Sequence, residues 1–230
     1  MKKWANLPDN LKNDTTRKYY DILCKKKVSL VLKRFFDLLI SLVLFIILSP
    51  IFIILSIIIK LDSKGPVFYK QERVTQYGKV FKILKFRTMV NNADKIGTLV
   101  TIDNDSRITK VGKAIRRFRL DEIPQLLNII AGDMTLVGTR PEVKKYVDAY
   151  TDGMKATLLM PAGVTSLASI EFKDEDEIIK KYRVLGEDID SIYINRILPD
   201  KMKFNLEYLK GFNVLTDLKI CIKTFFSVLK

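Results

Sequence analysis

The chain has 230 residues, no histidine, and 40 Lys plus Arg against 26 Asp plus Glu, a net charge of +14. Without imidazole there is no His triad, His general base or His metal site, so such work falls to carboxylates, Lys, Tyr, Ser, Thr or Cys. The positive excess calls for an anionic partner: nucleic acid, an anionic lipid surface or a phosphorylated substrate.

Residues 1–30 form a polar, basic arm carrying Trp4, Tyr19 and Tyr20. A short helix near lipid headgroups and a loose tail both fit it. An uncharged apolar run over 38–59 follows. As a helix it is about 33 Å long, enough to cross a bilayer core. It starts too late and runs too long for a signal peptide. Ser49 and Pro50 sit in its middle, and proline kinks a helix by removing one hydrogen bond. Both flanks are basic, with Lys33 and Arg34 before and Lys60 and Lys64 after, so charge sets no orientation. A kinked span and a helix that bends at Ser49-Pro50 and returns to the same face both satisfy this pattern.

Beyond a Gly65-Pro66 turn, 67–74 and 79–86 read as a β-hairpin around Thr75-Gln76-Tyr77-Gly78. The stretch 91–105 reads as a polar, mobile loop, and 107–119 as a basic amphipathic helix. Asp121 is then expected to cap a helix with Pro124 in its first turn and Gly132 as its stop. A short strand over 136–140, a helix over 142–150, a turn over 161–164 and helices over 174–182 and 199–210 follow. The last helix, 217–230, sets Leu218, Cys221, Ile222, Phe225 and Phe226 on one side. It suits the membrane interface or a core-facing terminal helix. Cys24 and Cys221 have no metal spacing and no disulfide framework, which suits a reduced, cytoplasm-facing protein.

The sharpest chemical feature is Asp121-Glu122 directly behind Arg116, Arg117 and Arg119. Arginines hold phosphates with paired N–H donors, and a carboxylate can ligate Mg²⁺ that bridges to them. That combination suits phosphoryl chemistry, and an Asp can itself be the nucleophile. The plainer reading is a capping Asp and a surface ion pair. Lys85 with Arg87, and Arg140 before Pro141, are further basic positions with the same two readings.

In order, Lys33-Arg34-Phe35-Phe36-Asp37, Ser49-Pro50, Phe81-Lys82-Ile83-Leu84-Lys85-Phe86-Arg87-Thr88-Met89, Leu120-Asp121-Glu122-Ile123-Pro124-Gln125, Gly138-Thr139-Arg140-Pro141-Glu142 and Asp217-Leu218-Lys219-Ile220 resemble the bacterial sugar transferases of the monotopic polyprenyl-phosphate phosphoglycosyl transferase type. The resemblance covers the chain from about residue 31 onward. It implies a re-entrant helix broken at Ser49-Pro50, and a catalytic dyad of Asp121 and Glu122 with Mg²⁺ ligated at Asp121. It further implies that Asp121 attacks the β-phosphate of a UDP-sugar, UMP leaves, and undecaprenyl phosphate takes the phospho-sugar. Arg116 and Arg140 would bind phosphate, Pro141 would lie near the nucleotide, and Lys85 and Arg87 would assist. Thr139 stands where that family more often has proline, and Ala162 shifts the usual Pro-Gly-Ile-Thr-Gly tract.

The expected fold class is α+β and mostly helical, with a small hairpin on a membrane re-entrant helix–break–helix and amphipathic interfacial helices. The expected division is an arm over 1–30, the membrane helix over 31–62, and a catalytic domain over 63–230 on the cytoplasmic face of the bacterial inner membrane. Expected partners are a UDP-sugar, polyprenyl phosphate and the bilayer, with a homo-oligomer left open. Nucleic acid is not expected, because no nucleic-acid motif accompanies the charge. The competing readings are a catalytically inactive scaffold of a polysaccharide assembly and a membrane-anchored nucleic-acid binder.

Overall fold

The computed structural model describes residues 1–93, 105–172 and 175–229. The loop expected over 91–105 lies mostly outside the described residues. The arm is not a loose tail. It folds into helix α1 (Asp14–Cys24), whose first turn is capped by the Asn13 side chain accepting from Thr16 N–H at 2.8 Å. Leu7, Leu11 and Leu23 are buried, and Trp4 packs edge-on against Tyr20 with centroids 5.1 Å apart.

Helix α2 (Lys27–Asp62) is the apolar block. Helical hydrogen bonding is not interrupted at Ser49 and Pro50, which lie inside α2. The reason is local. Proline has no N–H for the Ile46 carbonyl, and the Ser49 hydroxyl donates to that carbonyl instead, at 2.8 Å. One stripe of α2 faces protein: Lys33, Asp37, Ser41, Leu55 and Ile59 are buried, with Leu44, Phe45, Leu48 and Phe52 packed between them. The other faces are bare Phe35, Phe36, Leu39, Val43, Ile46, Ile47, Ile53, Ile54 and Ile57. Only 6% of the most apolar stretch is buried, so this helix is not the core of a soluble protein.

Strands β1 (Phe68–Val74) and β2 (Val80–Phe86) form the expected antiparallel hairpin, in register from Phe68 opposite Phe86 to Val74 opposite Val80. Its turn uses left-handed backbone at Tyr77 and Gly78. Helix α3 (Lys110–Arg117) begins at Thr109, whose hydroxyl accepts from Gly112 N–H. A Cβ on Gly112 would fall 2.0 Å from the Thr88 carbonyl, so glycine is what lets α3 lie on the exit of β2.

Asp121 does not cap the next helix. Arg119 takes a left-handed conformation (φ 52°) and a 3-10 turn, Leu120–Glu122, intervenes before α4 (Gln125–Ala131). Helix α4 packs Leu126 and Ile129 onto Phe81 and Ile83 of the hairpin. The Asn128 amide ties the two elements together, donating to Lys82 O and accepting from Leu84 N–H, each at 2.9 Å.

Strand β3 (Met134–Val137) follows the left-handed Gly132. Residues expected as a turn at 161–164 instead form β4 (Ala162–Thr165), parallel to β3. The two backbones approach so closely that a Cβ on Gly163 would meet Gly138 N at 2.2 Å. The Pro-Ala-Gly spelling that resembles a turn supplies this close approach.

Short helices α5 (Lys144–Val147), α6 (Asp152–Lys155), α7 (Leu167–Glu171), α8 (Glu175–Val184) and α9 (Ile189–Ile192) come next. With α10 (Leu198–Gly211) they build a second core around Tyr146, Ile179, Ile192, Ile197 and Met202. Helix α11 (Val214–Leu229) packs one face on the core through Ile220 and Cys221 and leaves an apolar face bare. Asp217 and Ile220 are buried, while Leu218, Ile222, Phe225 and Phe226 are exposed, so the apolar side read from the sequence faces away from the core.

Asp217 belongs to a buried ionic cluster at the start of α2. Lys33 Nζ donates to Asp217 Oδ2 at 2.6 Å and to Val137 O at 2.8 Å, with Asp37 at 3.6 Å. Tyr208 donates to Asp217 at 2.7 Å, and Asp37 accepts from Thr135 Oγ1 and Leu136 N–H. The cluster joins α2, β3, α10 and α11.

Candidate active site

A cleft of about 510 Å³ opens between the hairpin, the end of α3 and the 3-10 turn. Asp121, Lys85, Arg87 and Arg116 all line it, together with Tyr69, Arg73, Thr88 and Arg107. The hairpin register sets Tyr69 opposite Lys85, which puts both on the cleft side. Arg116 is held by a 2.7 Å hydrogen bond from its Nε to Thr88 Oγ1.

The two adjacent carboxylates are used differently. Glu122 Oε1 accepts from Arg140 Nη2 at 2.5 Å and from Lys85 Nζ at 3.2 Å. Burial alone would raise the Glu122 carboxyl. The two cations outweigh it and hold that carboxyl far below the usual range. Asp121 accepts no hydrogen bond among the described residues, and its nearest cation is Lys85 at 4.0 Å. Burial raises its carboxyl above the ordinary value, and the charge on Glu122 adds to that, against Lys85, Arg116 and Arg140. Neighbouring acids whose environments push them apart are suited to different tasks. Glu122 is a fixed anion that organises cations. Asp121 is the carboxylate with free oxygens facing the cleft. Burial lowers the Lys85 ammonium, which is tempered by Glu122 and Asp121.

Among the expected site residues, Asp121, Glu122, Lys85, Arg116 and Arg140 are thus brought together, with Arg140 joined through Glu122 rather than through the cleft wall. Pro141 contributes its carbonyl, which accepts from Arg73 at 3.1 Å. Arg87 lines the same cleft but is hydrogen-bonded to the end of α2. Ser49 and Pro50 lie in α2, away from the cleft. Arg73 is a further cleft residue beyond those expected. It pairs with buried Glu142 at 3.9 Å, which in turn accepts from Tyr193 at 2.6 Å. Its signal was its place on the alternating face of β1 with Tyr69. Thr139 buries a hydroxyl that has no partner.

No group of three or more His, Cys, Asp or Glu that could hold a metal occurs among the described residues. Mg²⁺ in phosphate chemistry needs only one or two carboxylates, with substrate oxygens completing its shell. Asp121, with free oxygens beside the cleft, fits that role. Glu122, with one oxygen claimed twice, fits it less well.

A family model described as bacterial sugar transferase matches residues 28–230. The UDP-glucose:undecaprenyl-phosphate glucose-1-phosphate transferase of Klebsiella pneumoniae is 32% identical over 87% of the chain, and the match spans 40% of that protein. The exopolysaccharide production protein ExoY of Sinorhizobium fredii is 33% identical over 84% of the chain and 83% of its own length. A putative undecaprenyl-phosphate N-acetylgalactosaminyl 1-phosphate transferase of Bacillus subtilis is 40% identical over 53% of the chain and 68% of its own length. The chain therefore spans about two fifths of the first of these relatives and most of the second. The match runs from the start of α2 to the end of α11 and takes in the whole cleft, and the chain belongs to the bacterial sugar transferase family.

Proposed function

We propose that this protein transfers a sugar 1-phosphate from a UDP-sugar to a polyprenyl phosphate, undecaprenyl phosphate by the names of its relatives, as a membrane step of surface glycan synthesis. The observation that carries the reading is the asymmetry of the two carboxylates, with Asp121 free at a cationic cleft and Glu122 tied down behind it.

In this mechanism the Asp121 carboxylate bonds to the β-phosphorus of the donor. The bond from that phosphorus to the bridging oxygen breaks, and UMP leaves with the electron pair. A phosphate oxygen of the polyprenyl phosphate then attacks the same phosphorus and releases the carboxylate. Arg116 and Lys85 neutralise the charge that builds on phosphate oxygens, and Arg140 holds Glu122 in place beneath them. Mg²⁺, when bound at Asp121, supplies further neutralisation of the diphosphate.

The test is UMP release by nanodisc-held protein with Mg²⁺, undecaprenyl phosphate and a panel of UDP-sugars. UMP from one or two sugars, lost on chelation, is the expected result. Silence with every sugar from folded, membrane-bound protein would move the assignment to an inactive scaffold.

The bare faces of α2 and α11 supply the membrane contact, with α11 lying along the surface. The middle of α2, at Phe45, Leu48 and Phe52, packs on β2 and α4. A helix crossing straight through the bilayer would carry those elements and their Lys82, Lys85 and Asn128 into hydrocarbon. We therefore read α2 as entering, bending at Ser49-Pro50 and returning on the cytoplasmic face. In protein with Cys24 and Cys221 replaced by serine, single cysteines at Val28→Cys and Lys64→Cys should react with an impermeant maleimide from the same side of sealed vesicles. Labelling from opposite sides would make α2 a span.

A further inference from the structure

Arg87 is 6% exposed, yet only one of its nitrogens is used. Nη2 donates to Ser63 O at 2.6 Å, to Ile59 O at 3.1 Å and to Ser63 Oγ at 3.1 Å, closing the C-terminal end of α2. Nε and Nη1 are buried and have no partner. Among the described residues no carboxylate lies within ion-pairing distance of this guanidinium. A buried cation with idle donors is costly, and the negative end of the α2 dipole offsets only part of that cost.

The same side chain lines the cleft that holds Asp121. Lys85 and Arg140 are paired with Glu122, Arg73 with Glu142 and Arg107 with Asp105, and Arg116 is hydrogen-bonded to Thr88. Arg87 is therefore a second cationic station, separate from the dyad and bonded directly to the end of the membrane helix. Apolar Pro66, Phe68, Phe86, Met89 and Val90 line the same cleft, alongside Asn91 and Asn92. A phosphate on an apolar chain that leaves the bilayer along α2 meets this station first.

We infer that Arg87 seats the phosphate of the acceptor lipid, while the donor diphosphate is held at Arg116 and Lys85. This rests on the transfer reaction proposed above and divides its two substrates between two sites. The acceptor phosphate supplies the counter-charge that Arg87 lacks, and it is then positioned to attack the phosphorus carried on Asp121.

Two variants test it. Arg87→Lys keeps a charge but loses the fork whose Nη2 closes α2 and whose Nε and Nη1 are idle. Asn91→Asp acts without touching the helix cap. Asn91 is exposed, and Arg87 Nη1 and Asn91 Cγ meet over Gly65, at 2.1 and 3.5 Å from the point a Cβ there would occupy. An aspartate there would offer Arg87 an internal carboxylate in competition with the lipid phosphate. Donor chemistry is read alone as exchange of labelled UMP into UDP-sugar without acceptor. Acceptor chemistry is read as KM for undecaprenyl phosphate in full turnover.

Both variants should raise the acceptor KM at least about tenfold more than they slow exchange. Equal loss in both readouts, or loss of exchange alone, would overturn the inference and return Arg87 to the donor or to the helix cap. Should Arg87→Lys fail to fold, the surface variant Asn91→Asp carries the test. Absence of exchange in the unaltered protein would overturn the covalent reaction itself, and this inference with it, which is a separate outcome.

Discussion

Asp121→Asn is expected to lower UMP release at least about 10³-fold while the protein stays folded and membrane-bound. Asparagine keeps the shape of the side chain and removes the oxygen anion that would bond to phosphorus. The fold should not suffer. Burial raises the Asp121 carboxyl, so its ionised form is disfavoured in the folded protein, and above that raised value the charge works against stability. Removing it should leave the melting temperature equal or higher. Glu122→Gln is the contrasting case. Its carboxyl is held low by Arg140 and Lys85, so its ionised form supports the fold at all pH values above the unfolded value. Losing it leaves two cations facing each other, and both activity and melting temperature should fall. Asp121→Asn protein that retains a tenth of the activity would remove Asp121 from the chemistry.

Lys33→Met should cost about 3–5 kcal/mol of stability, because it strands Asp217 and Asp37 as buried charges without their cation. For a chain of this size that is a fall in melting temperature of about 6–20 °C, readable in detergent or nanodiscs. The loss should be partly recovered in the double variant Lys33→Met, Asp217→Leu, since an apolar pair leaves no unpaired charge except Asp37, which keeps its bonds from Thr135 and Leu136. A shift of less than about 2 °C in the single variant would mean that water reaches the cluster, and the staple joining α2, α10 and α11 would have no energetic weight.

Elements defined by local pattern were legible in the sequence. The hairpin follows from the alternation around Phe81 and Ile83 and the Tyr77-Gly78 turn. The length and bare faces of α2 follow from an uncharged run, and Asp121-Glu122 behind three arginines marked the site. What escaped depends on partners distant in the chain. Lys33 and Asp217 are 184 positions apart, so nothing near Asp217 says that it points inward and leaves Phe225 and Phe226 outside. Residues 162–165 spell a turn and become a strand because β3 is there to pair with them. Asp121 reads as a cap because an aspartate precedes Pro124 at the start of an apolar helical run, and the left-handed Arg119 displaces it into a 3-10 turn. The unequal roles of the two carboxylates depend on Arg140 and Lys85, which reach Glu122 from 18 and 37 positions away.

The most direct test of the account is intact-mass and peptide mapping after the protein is mixed with its UDP-sugar and Mg²⁺, without acceptor, and quenched. The account predicts one added phospho-sugar per protein, located on the peptide containing Asp121, and its disappearance when undecaprenyl phosphate is supplied before the quench. A protein that releases UMP only when acceptor is present, with no adduct or with one on another residue, would contradict it.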